Sequence, residues 1–267
     1  MLVTDKEYYL NDNLKEICDL TIRRTKKNWD NLIIIDGPER SGKSTLARAI
    51  AYYISYTKGA KFTIENIFFD PDEMLEYATT HQDEMIIWDE AAFGGQSNQW
   101  QNEVQRKMNT MLMVCGKFKN TYIFIIPSFF RLNRYLAIDR SLGLIHVYSP
   151  DLITRGQFIC LSEAQKIRAY NKYRQTEWYG KQHSFRGTFT IKNQDFIDEA
   201  VYEAKKDAAI KKFLEDKGQK KKDKLELIQN KLATNMTPQE VMSLVGVSQK
   251  TVYNWKNRAE KGGGSPL

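Results

Sequence analysis

The stretch Asn31-Leu32-Ile33-Ile34-Ile35-Asp36-Gly37-Pro38-Glu39-Arg40-Ser41-Gly42-Lys43-Ser44-Thr45 decides the fold. Its first six residues are an apolar run closed by Gly37-Pro38, the pattern of a buried strand and a turn. From residue 44 to 58, Leu46, Ile50, Tyr53 and Ile54 recur at helical spacing, and Gly59 stops the run. Between strand and helix, Gly37 to Ser44 fits GxxxxGK[ST]. Glycines let the backbone wrap phosphate oxygens. Successive N–H groups, with the N-terminus of the next helix, supply partial positive charge. On this reading Gly37, Pro38, Glu39, Arg40, Ser41, Gly42, Lys43, Ser44 and Thr45 bind ATP. Lys43 reaches the β- and γ-phosphates, and the Ser44 hydroxyl ligates Mg2+.

Outward from that loop, strand and helix patterns alternate. Residues 66–69 form a short strand. Asp70 then caps a helix with Pro71 at its first position. Residues 84–89 (EMIIWD) are a third strand, 121–126 (TYIFII) a fourth and 142–148 a fifth, with a helix to about Cys115 between the third and fourth. Strands apolar on both faces, alternating with helices, predict an α/β fold: a mostly parallel sheet with helices on both sides. After Pro150 the pattern changes. Residues 156–161 read as an antiparallel addition, 162–173 as a helix, 176–192 as an aromatic, glycine-punctuated stretch and 195–216 as a helix. The expected division is a helical lead-in (1–30), a phosphate-loop domain (31–192), a helix and Lys-rich linker (193–224), a small all-α helix-turn-helix domain (225–261) and a flexible tail (262–267).

Asp89 ends the third strand and Glu90 follows it. A carboxylate at a strand's C-terminal end suits an outer contact to Mg2+. One step beyond, Glu90 stands where it can polarise a water for attack on the γ-phosphate. These residues resemble the ASCE division of P-loop ATPases, named for its additional strand and catalytic glutamate and built on a RecA-like core. In that division a polar residue ends the strand beside the Asp-bearing one and senses the γ-phosphate. The resemblance gives that role to Ser128, which also stands where it could cap a helix over 129–138. Motors of the division often take an arginine from a neighbouring subunit, which implies a ring or filament. Arg106, Arg131, Arg134 and Arg140 are the candidates, with Arg140 slightly ahead. From Asp89 to Arg140 the chain is similar to HerA/FtsK-like and zonular-occludens-toxin-like ATPases of viruses and mobile elements.

Residues 237–256 carry a second motif. Thr237 caps a helix with Pro238 at its first position, and Glu240 completes a capping box. Gly246 supplies a turn and Ser248 caps a second helix, with Val252 and Trp255 facing inward. This looks like a helix-turn-helix of the transposase/repressor type. Its second helix offers Ser248, Gln249, Lys250, Thr251, Tyr253, Asn254 and Lys256 to DNA: Gln249 and Asn254 to base edges, Lys250 and Lys256 to phosphates.

Charge supports the split. The 267 residues carry 40 Lys+Arg against 33 Asp+Glu, a net +7. Through residue 204 cations and acids balance at 26 each, so the whole excess lies in 205–261, and most of it in the linker 205–224. A neutral body with a basic appendage fits nucleic acid as partner and, on charge alone, equally a solvated lysine-rich helix. Cys18, Cys115 and Cys160 are scattered, which excludes a disulfide framework, and no Cys/His spacing suits zinc. No apolar run approaches membrane-spanning length, and the charged start lacks a signal-peptide core. The expectation is a cytoplasmic protein (host cytoplasm, if viral) with no membrane partner.

The leading expectation is therefore an oligomeric, Mg-dependent ATPase that moves or remodels DNA. An ATP-switched DNA-binding regulator is the alternative. A nucleotide kinase with a DNA-binding appendage is disfavoured by Glu90.

Overall fold

The structure is a computed structural model. It describes residues 9–89, 98–180, 183–190, 196–215, 237–245 and 248–260, and for 98–102, 238, 241, 244–245 and 255–260 only the backbone. The chain divides into two compact units, residues 1–209 and 210–267.

In the first unit, α1 (Asp12–Thr25) precedes β1 (Asn31–Asp36) and α2 (Lys43–Thr57). Then come β2 (Ile67–Phe68), α3 (Pro71–Thr80), β3 (Met85–Asp89), α4 (Asn98–Val114), β4 (Thr121–Ile126) and β5 (Gly143–Tyr148). β6 (Gln157–Leu161), α5 (Glu163–Tyr173), β7 (Phe185–Thr188) and the start of a helix α6 over 199–215 follow, α6 continuing past residue 209, where the first unit ends. Local chemistry sets the helix starts. Asn11 accepts from the amides of Asn13 and Leu14 to begin α1, and Asp70 accepts from Asp72 with Pro71 at the first position of α3. Ser162 and Gln165 form a capping box on α5.

The seven strands lie in the order β2-β3-β4-β1-β5-β6-β7. The first five are parallel, β6 pairs antiparallel with β5, and β7 pairs antiparallel with β6. All six residues of β1 and of β4 are buried. That is why both read as unbroken apolar runs: a central parallel strand meets helices on each face. Leu32, Ile34, Trp88, Tyr122 and Phe124 share one core with Met108, Met111 and Leu112 of α4 and Tyr170 of α5. On the other face α1 and α2 bury Leu14, Cys18, Leu46, Ile50 and Ile54. No helix among the described residues is long and apolar enough to cross a membrane.

Two expectations change here. Residues 129–138 do not form one helix that Ser128 could cap. They split into a 3-10 turn (Phe129–Arg131) and a π-helical turn (Tyr135–Arg140), and the Ser128 side chain makes no cap. Neighbouring helices take the backbone groups that a regular helix would have used. Gln105 of α4 bonds the Arg131 carbonyl and the Asn133 amide, while Tyr170 of α5 donates to the Leu132 carbonyl.

Arg140 is the second correction. Both of its terminal nitrogens engage the Asp30 carboxylate, and one also reaches the Leu112 carbonyl. Asp30 stands before β1 and Arg140 before β5, at the end of the sheet away from the Gly37 loop. Arg140 is thus a clamp within its own chain, not an arginine held out for a neighbour.

Lys166 of α5 is fully buried and donates to the Ser141 carbonyl and hydroxyl, each at 2.6 Å. Desolvation lowers its pKa from 10.5 to about 8. Above about pH 8 the folded lysine gives up its proton while the unfolded one keeps it until 10.5, so stability rises with pH in that window. Between pH 8 and 9.5 the gain from this group is about 2 kcal/mol. Urea unfolding across that range should show a smaller rise for Lys166→Met than for the unaltered chain.

Candidate functional site

The loop from Gly37 to Lys43 leaves the end of β1 and enters α2. Gly37 sits at φ 140°, and a Cβ there would lie 2.0 Å from the Val147 carbonyl oxygen of β5. Only glycine lets the two backbones pass this closely. Gly42, at φ 102°, turns the chain into α2, and Arg40 holds φ 60°. The Lys43 ammonium lies across the loop and donates to the carbonyls of Gly37 (2.7 Å) and Pro38 (2.6 Å). Burial lowers its pKa, against the opposing pull of Asp89, Asp36 and Glu39. Ser41 Oγ closes the loop onto the Pro38 carbonyl at 2.8 Å.

Asp89, wholly buried at the end of β3, meets this loop directly. Ser44 Oγ donates to its Oδ2 at 2.6 Å. Ser44 opens α2 after the loop that leaves β1, and Asp89 ends β3, with β4 lying between those two strands. A hydroxyl and a carboxylate brought together beside a glycine loop form a pair of oxygen ligands suited to a hard divalent cation. Among the described residues there is no cluster of three or more His, Cys, Asp or Glu that could hold a metal by itself. Glu90 lies outside the described residues.

Sequence reading missed a third partner at this corner. Tyr202, on α6, donates to the same Asp89 oxygen at 2.7 Å. The Arg48 guanidinium of α2 stacks 4.6 Å from the Tyr202 ring and pairs with Glu199 at 2.6 Å. Lys205 donates to the Ile64 carbonyl, and Phe196 stacks on Tyr52. Burial and the Asp89 charge push the Tyr202 phenol well above its usual pKa, so it stays a donor. The spacing of Phe196, Ile197 and Tyr202 was the available signal, and it marks a buried face without saying against what.

Beside the loop is a second cluster. Asp36 is fully buried and accepts from the Phe129 amide at 2.8 Å and from the Tyr179 hydroxyl. His146 Nδ1 lies 3.0 Å from its other oxygen, and the Tyr179 ring stacks on His146. Ser128 adjoins this cluster at the end of β4. Its hydroxyl donates to Glu177 at 2.9 Å, and Arg131 stands 3.5 Å from the same carboxylate.

In the second unit, α7 (Pro238–Val245) and α8 (Gln249–Glu260) carry their caps as the spacing implies. The Thr237 amide and hydroxyl donate to Glu240, and the Glu240 amide returns to Thr237. Ser248 caps α8 and bonds the Thr251 hydroxyl, so these two candidate contacts face each other. Val252 is buried, whereas Gln249, Lys250, Tyr253 and Asn254 are exposed on α8. The side chains of Trp255 and Lys256, and all of Gly246 and Val247, lie outside the described residues.

Residues 219–266 match the homeodomain-like domain family, a helix-turn-helix class. No curated protein matches the chain. The helix-turn-helix domain points to DNA binding.

Gly37→Ala should collapse the loop geometry, because its methyl has no room beneath the Val147 carbonyl. A loss of at least about 2 kcal/mol in urea unfolding is expected, together with loss of any nucleotide binding measured by calorimetry.

Proposed function

We propose that this chain is a Mg-dependent ATPase that moves or remodels DNA, with the helix-turn-helix unit as its DNA-binding part. The observation that carries the reading is the Ser44–Asp89 hydrogen bond. It joins a GxxxxGKS loop to the end of a strand that lies one strand away, with β4 inserted between. The additional strand and the carboxylate at the end of β3 are the features expected of the ASCE division.

In this reading the Gly37–Ser44 backbone cradles the phosphates and Lys43 supplies positive charge at the β- and γ-oxygens. Burial lowers the Lys43 pKa, and the flanking Asp89, Asp36 and Glu39 oppose that shift. Ser44 and Asp89 would hold Mg2+, which neutralises charge building on the phosphate oxygens. Glu90, the next residue in the chain after Asp89, takes the proton of the attacking water. Ser128, whose hydroxyl donates to Glu177 in this structure, would sense the γ-phosphate.

One observation favours the ATP-switched regulator as second reading. Tyr202 ties α6 to the Asp89 carboxylate, and α6 runs on to residue 215, into the part of the chain that leads to the helix-turn-helix. A nucleotide-driven change at Asp89 would then be felt where the DNA-binding unit is tethered.

Turnover of ATP with and without single- and double-stranded DNA tests both. Stimulation by non-specific DNA supports the motor, and DNA-independent turnover with a preferred duplex sequence supports the regulator. Phosphate transfer to a nucleoside would overturn both. Lys43→Ala should abolish binding and turnover. Glu90→Gln should bind ATP yet hydrolyse it at least about 100-fold more slowly, and unchanged turnover would remove Glu90 from its role. Tyr202→Phe keeps the stacked ring and loses only the hydrogen bond to Asp89. It should alter the Mg2+ dependence of turnover while shifting unfolding by only about 1 kcal/mol. Removing 217–267 should abolish tight DNA binding and spare basal turnover.

A further inference from the structure

The hairpin that joins β5 to β6 carries the most exposed apolar residues of the described chain. Leu152 is 91% exposed and Ile153 82%. The tip is built rather than loose. One Asp151 oxygen accepts from the Ile153 amide at 2.9 Å and the Thr154 amide at 2.6 Å, and the other accepts from the Thr154 hydroxyl. Leu152 is held at φ 62°, a left-handed conformation that costs a residue with a side chain free energy. A strained, hydrogen-bonded tip that puts two large apolar side chains into water has the form of a docking element. Asp151 lies on one side of the pair and Arg155 close on the other.

A matching groove lies on the same unit. It has a volume of about 370 Å3 and runs between the outer face of α1 and the start of β7. Ile17, Leu20 and Phe185 give it an apolar floor, and Glu16 and Arg23 stand along it. Leu20 is 40% exposed.

Topology keeps tip and groove apart within one chain. β5 is parallel to β1, so the hairpin projects from the end of the sheet that carries the Gly37 loop. Phe185 pairs with Cys160, whereas the hairpin returns at Gln157, three residues along β6. That is roughly 10 Å toward the opposite end of the sheet. The near-complete exposure of Leu152 and Ile153 agrees: the tip does not fill its own groove.

We propose that the Leu152–Ile153 tip docks into the α1–β7 groove of a second copy of this chain. The contact joins two different surfaces, apolar pair to apolar floor, with Arg155 free to face Glu16 and Asp151 to face Arg23. Such a head-to-tail contact repeats, closing into a ring or extending as a filament. It brings the α1 side of one subunit to the nucleotide-loop end of the next.

The test is the mass of the full chain, read by light scattering without nucleotide, so its outcome does not depend on the ATPase reading. The unaltered chain should form multiples of 31.2 kDa at high micromolar concentration. Leu152→Gly with Ile153→Ser, at positions already in water, should fold normally and weaken self-association by roughly two orders of magnitude. Leu20→Glu, in the groove, should do the same. Mixing these two variants is decisive: one keeps its groove and the other its tip, so the mixture should form a dimer and stop. Leu152→Cys mixed with Leu20→Cys should cross-link between chains, since the three native cysteines are buried. A chain that stays monomeric, or a tip variant that assembles normally, would overturn the proposal. So would a tip variant of unchanged mass that loses DNA affinity, which would make the tip a wedge for DNA.

Discussion

A carboxylate held away from water must be met by donors, and Asp36 collects them from three distant parts of the chain. It ends β1, immediately before the phosphate-type loop. The Phe129 amide comes from the turn after β4, His146 from β5 and the Tyr179 hydroxyl from the segment after α5. Two of the contacts tie β4 and β5, the neighbours of β1, to the strand end from which the loop departs, and the third brings in the segment after α5. Gly37, the next residue, then has to pass beneath the Val147 carbonyl, which it can do only without a side chain. The loop's path is therefore set by what surrounds it as much as by its own glycines.

The same logic governs Asp89. Its carboxylate is wholly buried, and Ser44 and Tyr202 both donate to one of its oxygens. Tyr202 thus binds α6 to the proposed metal corner by a bond of 2.7 Å, within 0.1 Å of the one that defines the corner. The charge of the chain gains meaning from this. The cationic excess begins at Lys205, three residues after Tyr202, where α6 is still packed on the first unit.

Much of this was legible from local pattern. Apolar runs gave the parallel strands, and Asp70-Pro71 marked a helix start that the structure places there. The glycine loop and the two capped helices of the second unit were equally readable. What escaped were contacts between residues far apart in the chain. Nothing at 129–138 announces that Gln105 and Tyr170 will take its backbone groups and break it into a 3-10 and a π turn. Nothing near Arg140 announces Asp30, which lies 110 positions earlier.

By itself the sequence determined the order of strands and helices, the glycine loop between β1 and α2, and the helix-turn-helix with its caps. These depend on spacing within one or two turns of chain, where propensity and hydrogen bonding act locally. Tertiary structure alone decided which strands became neighbours, that Ser44, Asp89 and Tyr202 share one oxygen, and that Arg140 turns inward to Asp30. It also decided that Leu152 and Ile153 are left in water. Burial is a property of the assembled chain, and it is burial that forces a charge or a hydroxyl to take one particular partner.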